Sequence, residues 1–187
     1  MAIAFDVITD ELIRVAREEV GSKLSTIEIE TGLVPSVILS RDTGTLPDYP
    51  YITVDKIVVD DSGSWLMQSG VNTDGNPYFS SYYRILFQYT VYGEDAFDIA
   101  HELKGKFRIG RILDEVKTNT TGEVEDVFAV NSLPEKLSTR YVEAAGFTLN
   151  FSITDTVIDE QTGYISTINI DNSVNNTLDS TIVVPTP

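Results

Sequence analysis

A solitary histidine, a group of aspartates and a run of tyrosines are the places where this chain could do chemistry. His101 is the only histidine among 187 residues. A catalytic imidazole needs a nucleophile to deprotonate and an acid to orient it. The neighbours Ala100, Glu102 and Leu103 instead make a helix flank, so His101 reads as a structural or solvated residue. Asp55, Asp60 and Asp61 have the oxygen chemistry for Ca²⁺ or Mg²⁺, but the ordered ligand spacing, central Gly and closing Glu of an EF-hand loop are missing. No metal site is assigned to them. Gly105, Gly110 and Gly122 form neither GxGxxG nor a P-loop, and GxSxG and HExxH do not occur. The expectation is a non-enzymatic chain with no catalytic residue and no cofactor.

Tyr78, Phe79, Tyr82 and Tyr83 offer faces on which bases or sugars stack. Only one base, Arg84, accompanies them, which favours strand aromatics packed against neighbours or buried at a subunit contact. Tyr82, Tyr83 and Arg84 are therefore candidate interface residues. A second candidate is the end of the chain. Ile165, Ile168, Ile170, Ile182 and Val184 are among β-branched residues too many for a purely solvated tail and too sparse for an independent core. Addition to the sheet edge of another subunit satisfies both facts, because the backbone supplies hydrogen bonds and alternate side chains fill pockets. The alternative is a C-terminal hairpin that completes its own domain, or a loose end.

Charge narrows the partners. Thirteen Lys and Arg stand against 29 Asp and Glu, a formal charge of −16. Such a field repels phosphate backbones and anionic membranes, which excludes sequence-specific nucleic-acid binding. Past Arg140 the remaining 47 residues contain no Lys or Arg. Cysteine is absent, which removes disulfides, thiolate zinc sites and a thiol nucleophile. The opening residues reach Asp6, Asp10 and Glu11 before any long apolar run, unlike a secretory signal. Nothing approaches the roughly 20 apolar residues of a membrane helix. The expectation is a soluble protein made in the cytoplasm.

The elements that must position these residues follow from periodicity. Leu12, Ile13, Ala16 and Val20 mark one face of a helix over Thr9–Gly21, with Thr9 as N-cap and Gly21 as stop. Residues 22–48 mix a short alternating segment, STIEIETG, with an apolar run interrupted by Pro35, Gly44 and Pro47. Tyr51–Asp60 is a β-branched strand, and Ser64–Val71 a second before the turn-rich NTDGNP. From Phe79 to Tyr92, Tyr83, Ile85, Phe87, Tyr89 and Val91 share one face of a long strand. Gly93-Glu94-Asp95 then opens a second helix with Ala96, Ile99, Ala100, Leu103 and Phe107 on its apolar face. Val124–Asn131 is a short strand. Tyr141, Ala145, Phe147, Leu149, Phe151 and Ile153 line a last long one. The order predicts an α+β fold, a mostly antiparallel sheet with two helices packed on one face. Residues 1–157 are expected to form one domain, and 158–187 an extended C-terminal arm.

Three stretches carry a family resemblance: PDYPYITVDKIVV at Pro47–Val59, YRILFQYTVYGEDAFDIAHELKGKF at Tyr83–Phe107 and YVEAAGFTLNFSITDTV at Tyr141–Val157. A Pro-Tyr entry into a strand, a strand ending in Tyr-Gly that passes to an acid-led helix, and a closing amphipathic strand resemble the phage neck and tail terminator (tail completion) proteins of contractile-tailed phages. The resemblance implies a virion structural subunit assembled in the host cytoplasm. Such a subunit forms a homo-oligomeric ring, usually a hexamer, on the tail tube protein, stops tube and sheath growth, and offers the surface on which the head docks. Its implied partners are itself, the tube protein, and sheath and connector proteins. Residues 22–48 and the C-terminal segment have no counterpart in that pattern. The alternatives are another tail subunit, a connector or baseplate piece, or a monomeric module binding carbohydrate or a host surface through the tyrosines.

Overall fold

The computed structural model describes residues 5–29, 32–41, 46–60, 67–73, 76–133, 135–137, 140–158, 167–170 and 180–183. In chain order these form α1 (Phe5–Val20), a 3₁₀ turn (Gly21–Lys23), β1 (Thr26–Ile29), β2 (Gly32–Pro35), β3 (Val37–Leu39), β4 (Tyr51–Asp60), β5 (Met67–Val71) and β6 (Pro77–Tyr92). Next come α2 (Ala96–Lys106), α3 (Gly110–Thr120), β7 (Glu123–Val127), β8 (Asn131–Ser132), β9 (Glu135–Leu137), β10 (Arg140–Val142), β11 (Ala144–Ile158), β12 (Thr167–Ile170) and β13 (Ser180–Val183). The chain is α+β, as its periodicities predict.

Two compact units divide the described residues. One comprises those within 3–63 and 82–154, the other those within 64–81 and 155–187. In the larger unit the strand order is β3-β4-β6-β11-β7, with β8 also on β11. β3 runs parallel to β4, and β4 runs antiparallel to β6 from Tyr51↔Tyr92 to Asp60↔Arg84. β11 is antiparallel to β7, from Leu149↔Val127 to Ser152↔Glu123. In the smaller unit β5 pairs β6 through Met67↔Ser80 and Val71↔Pro77, and β12 pairs β13 through Ile168↔Ile182.

Alternation along β6 and β11 builds the core. Ile85, Phe87, Tyr89 and Val91, with Phe147, Leu149 and Phe151, point to one face and are almost fully buried. The apolar stripes of all three helices join them in one cluster: Leu12, Ala16 and Val20 from α1, Ile99, Ala100 and Leu103 from α2, Ile112 and Val116 from α3. The Tyr89 ring stacks on Phe147 at 5.0 Å, and Phe87 meets Phe151 edge-on at 6.4 Å. Its buried hydroxyl donates to the Leu12 carbonyl at 3.3 Å, which satisfies a polar atom in an apolar setting. That burial pushes the Tyr89 phenol well above its ordinary pKa, so it stays a donor. Gly146 lies where a Cβ would come within 2.7 Å of the Tyr89 carbonyl, so a larger residue would part β11 from β6.

The helices differ from expectation in two ways. α1 begins at Phe5, four residues before Thr9, and Thr9 is not its N-cap: the hydroxyl donates back to the Phe5 carbonyl at 2.9 Å, a bond available only inside a helix. The second difference is α3, a third helix where the sequence predicts none. Its buried residues are only Ile112, Val116 and Thr120, and the Thr120 hydroxyl donates to the Val116 carbonyl at 2.6 Å. A stripe this narrow, in a segment otherwise polar, leaves little helical signal. α3 is held to α1 by a polar clamp. Arg14 donates to both oxygens of Glu11 at 2.6 and 2.8 Å, Asn119 of α3 donates to Glu11 at 2.9 Å, and Arg14 also reaches Glu115 at 2.9 Å. The Arg14 bond, with help from Asn119, holds the Glu11 carboxyl below its ordinary pKa.

Candidate assembly surface

The face of β6 away from the helices carries the even-numbered residues. Tyr82 and Arg84 emerge there, 41% exposed at Tyr82, and β11 and β7 bring Asn150 and Glu125 beside them. The Tyr82 hydroxyl donates to Glu125. Asn150 donates to the other Glu125 oxygen at 2.8 Å, and Arg84 Nε lies 3.3 Å from it. The Arg84 guanidinium also sits 5.8 Å from the centre of the Tyr82 ring. Three strands thus hold one aromatic and one guanidinium in a fixed outward pose around a shared carboxylate. Tyr and Arg fixed this way lose little side-chain entropy on contact, and they are the residue types that dominate protein interfaces.

Alternation separates Tyr83 from this group. It turns to the helix side and packs, half-buried, against the core. Ile168 and Ile170 lie in β12 and Ile182 in β13, where Ile168 pairs Ile182 and Ile170 pairs Ser180. Ile165 and Val184 lie outside the described residues. The structure therefore unites Tyr82 with Arg84 and adds Glu125 and Asn150, which sequence reasoning missed. Only the sheet register brings those two to Tyr82; the one local signal was a polar side chain on the outward face of each strand.

At the other end of the same sheet, Tyr49, Tyr51 and Tyr92 stack in a ladder, with ring centres 5.4 and 5.1 Å apart. Gly93 makes the ladder possible. Its φ is +115°, and a Cβ there would come within 3.0 Å of Pro50 and Tyr49. A cleft of about 510 Å³ opens beside it, lined by Lys23, Tyr49, Pro50, Asp95, Asp98 and Ile99 among others. The Lys23 ammonium bonds Glu102, which raises its pKa. Of the acids flagged in the sequence, Asp55 lies 3.4 Å from Arg41 and Asp61 falls outside the described residues. Among the described residues no group of three or more His, Asp or Glu could hold a metal ion, and no helix is long and apolar enough to cross a membrane. His101 is exposed and stacks on Phe97 with ring centres 6.4 Å apart.

The sequence matches the phage neck terminator protein family over residues 10–177. The chain belongs to that family. No curated protein matches it. A phage neck terminator is a structural protein of the tail and neck region of the virion, where it meets other tail or head proteins. The match takes in β1 through β12, including residues 22–48, where the sequence pattern alone had no counterpart.

Proposed function

We propose that this neck terminator closes into a homo-oligomeric ring, a hexamer, that caps the tube and sheath of a contractile tail and offers the surface on which the head docks. The observation that carries this reading is the outward Tyr82–Arg84–Glu125–Asn150 group on the helix-free face of the sheet. Its pose is prearranged, so burying it against a neighbour costs little ordering entropy. The formal charge of −16 supports a place around a DNA channel, because an acidic wall does not grip passing phosphates. The tube protein is the partner below the ring, with sheath and connector proteins around it. Tyr82, Arg84 and the C-terminal isoleucines belong to the contacts between subunits.

The solution mass of the full-length protein, measured by light scattering at two concentrations and followed by negative-stain imaging, tests this. Closed rings of six subunits are the expected result, alone or on tail tubes. A chain that stays monomeric both alone and with tubes would sink the ring, and would favour a monomeric module that binds through its tyrosines.

A further inference from the structure

Among the described residues, the hydrogen bonds that tie the ribbon β1–β2 to the body lie at its base. Ser25 N–H donates to the Pro50 carbonyl at 2.8 Å, Ser36 N–H donates to the Ser25 carbonyl at 2.9 Å, and the Ser25 and Ser36 hydroxyls meet at 2.8 Å. Beyond that base the two four-residue strands pair with each other, from Thr26↔Pro35 to Ile29↔Gly32. Residues paired directly across an antiparallel ribbon share a face. One face therefore carries Ile27, Val34 and Ile29, the other Leu33 with Glu28. Ile29 is 38% and Leu33 73% exposed. An isolated two-stranded ribbon is marginal in water, so apolar side chains on both of its faces call for a covering surface.

A seat with matching chemistry lies on α2 of the same chain. Phe97, His101 and Lys104 follow one another at four- and three-residue steps and make a single stripe. Phe97 is 42% exposed and stacked on His101. Lys104 has no ion pair among the described residues, and no acid lies on the stripe. On a chain with more than two acids per base, an aromatic stripe ending in a free cation is the exception. It complements a ribbon whose described charge is Glu28 alone. The two surfaces also face apart. Glu102 and Lys106 lie on the flank of α2 that meets Lys23, at the foot of the ribbon, and Glu19. Phe97, His101 and Lys104 lie on the opposite flank. Two complementary surfaces facing in different directions make a head-to-tail contact, the kind that closes into a ring.

We infer that the β1–β2 ribbon of one copy seats on the Phe97–His101–Lys104 stripe of the next, an assignment that rests on the ring reading. The test uses full-length protein and two exposed positions, Leu33→Asp and Phe97→Asp, with circular dichroism to establish that each variant is folded. Each variant alone is expected to lose ring assembly, its association weakened at least about tenfold. An equimolar mixture is expected to give dimers, because one intact ribbon and one intact stripe remain. Should either variant misfold, Glu28→Lys and Lys104→Glu replace them, each weakening assembly and the double variant restoring it. Rings that form as in wild type in both single variants, or a mixture that gives no dimer, would overturn the ribbon assignment and leave the ring standing. Wild-type protein that never assembles, alone or on tubes, would overturn both.

Discussion

The two faces of β6 come from alternate letters of the same sixteen residues, yet they answer to different demands. On one face Ile85, Phe87, Tyr89 and Val91 are wholly buried under three helices. On the other, Tyr82 and Arg84 stand in solvent, held by Glu125, to which Asn150 also donates. Both faces use aromatics, so composition alone does not tell them apart. Depth of burial does. Substitutions on the helix side should be felt in folding, and substitutions on the open side in assembly.

The most severe break on the folding side is Leu103→Asp. Leu103 has no exposure and sits in the cluster between α2 and the sheet. The change removes a buried apolar side chain worth about 1.5–3 kcal/mol and places a carboxylate where water cannot reach it. Circular dichroism and a thermal melt should show an unfolded chain. An unchanged melting temperature would mean that α2 does not pack as described.

A smaller loss is expected from Glu11→Gln at the α1–α3 clamp. The amide keeps an acceptor for Asn119 but loses the charge that binds Arg14 through two bonds, a cost of roughly 1–3 kcal/mol in urea unfolding. The clamp also sets a pH dependence. Glu11 and Glu19 have folded pKa values below the ordinary 4.5, Glu11 through Arg14 and Glu19 through Arg111 and Lys106. The stability each carboxylate adds is present in full above the unfolded value, and disappears as pH falls through the lower folded one. Wild-type protein should therefore lose stability as pH falls from about 4.5 through the folded values, and Glu11→Gln should lose less. Identical acid profiles would remove the clamp from the account.

How far the sequence reveals these two faces depends on whether a feature is local. β4 begins and ends where its β-branched run does, at Tyr51 and Asp60, and the core faces of β6, α2 and β11 follow their periods, except that Tyr141, expected on the last long strand, lies in β10 paired with β9. Those patterns are strong because each is repeated four or more times along one element. α3 escaped because its buried stripe is three residues, one of them threonine. Thr9 misled because a hydroxyl that caps a helix start also bonds back within a helix, and only the chain before it decides which. At the candidate site, Tyr82 and Arg84 were legible as an aromatic and a base on one strand. Their holders were not, since Glu125 and Asn150 reach them through a β7–β11 register that no local pattern encodes. Tyr83, adjacent in sequence, went to the other face for the same reason that its neighbours were found: the period of two.

The C-terminal segment is the second candidate for contact between copies. β12 and β13 pair with each other, from Thr167↔Val183 to Ile170↔Ser180. Deleting Tyr164–Pro187 should leave the melt of the remaining chain within about 1 kcal/mol of wild type, while assembly on light scattering weakens. Loss of the folding transition in the truncated chain would place the segment in the core and not among the contacts.

The gentlest probe is Tyr82→Ala, because it touches the open face alone. The ring is 41% exposed and its hydroxyl bonds a carboxylate that keeps Asn150 and Arg84 as partners. Exposed contacts of this kind contribute within about ±0.5 kcal/mol to folding. Removal of a prearranged aromatic from an interface costs binding far more than that. Wild-type thermal stability combined with reduced ring formation would separate the two faces by function. Intact rings with an unchanged melt would mean that Tyr82 faces solvent in the assembled neck, and that subunit contact lies elsewhere on the chain.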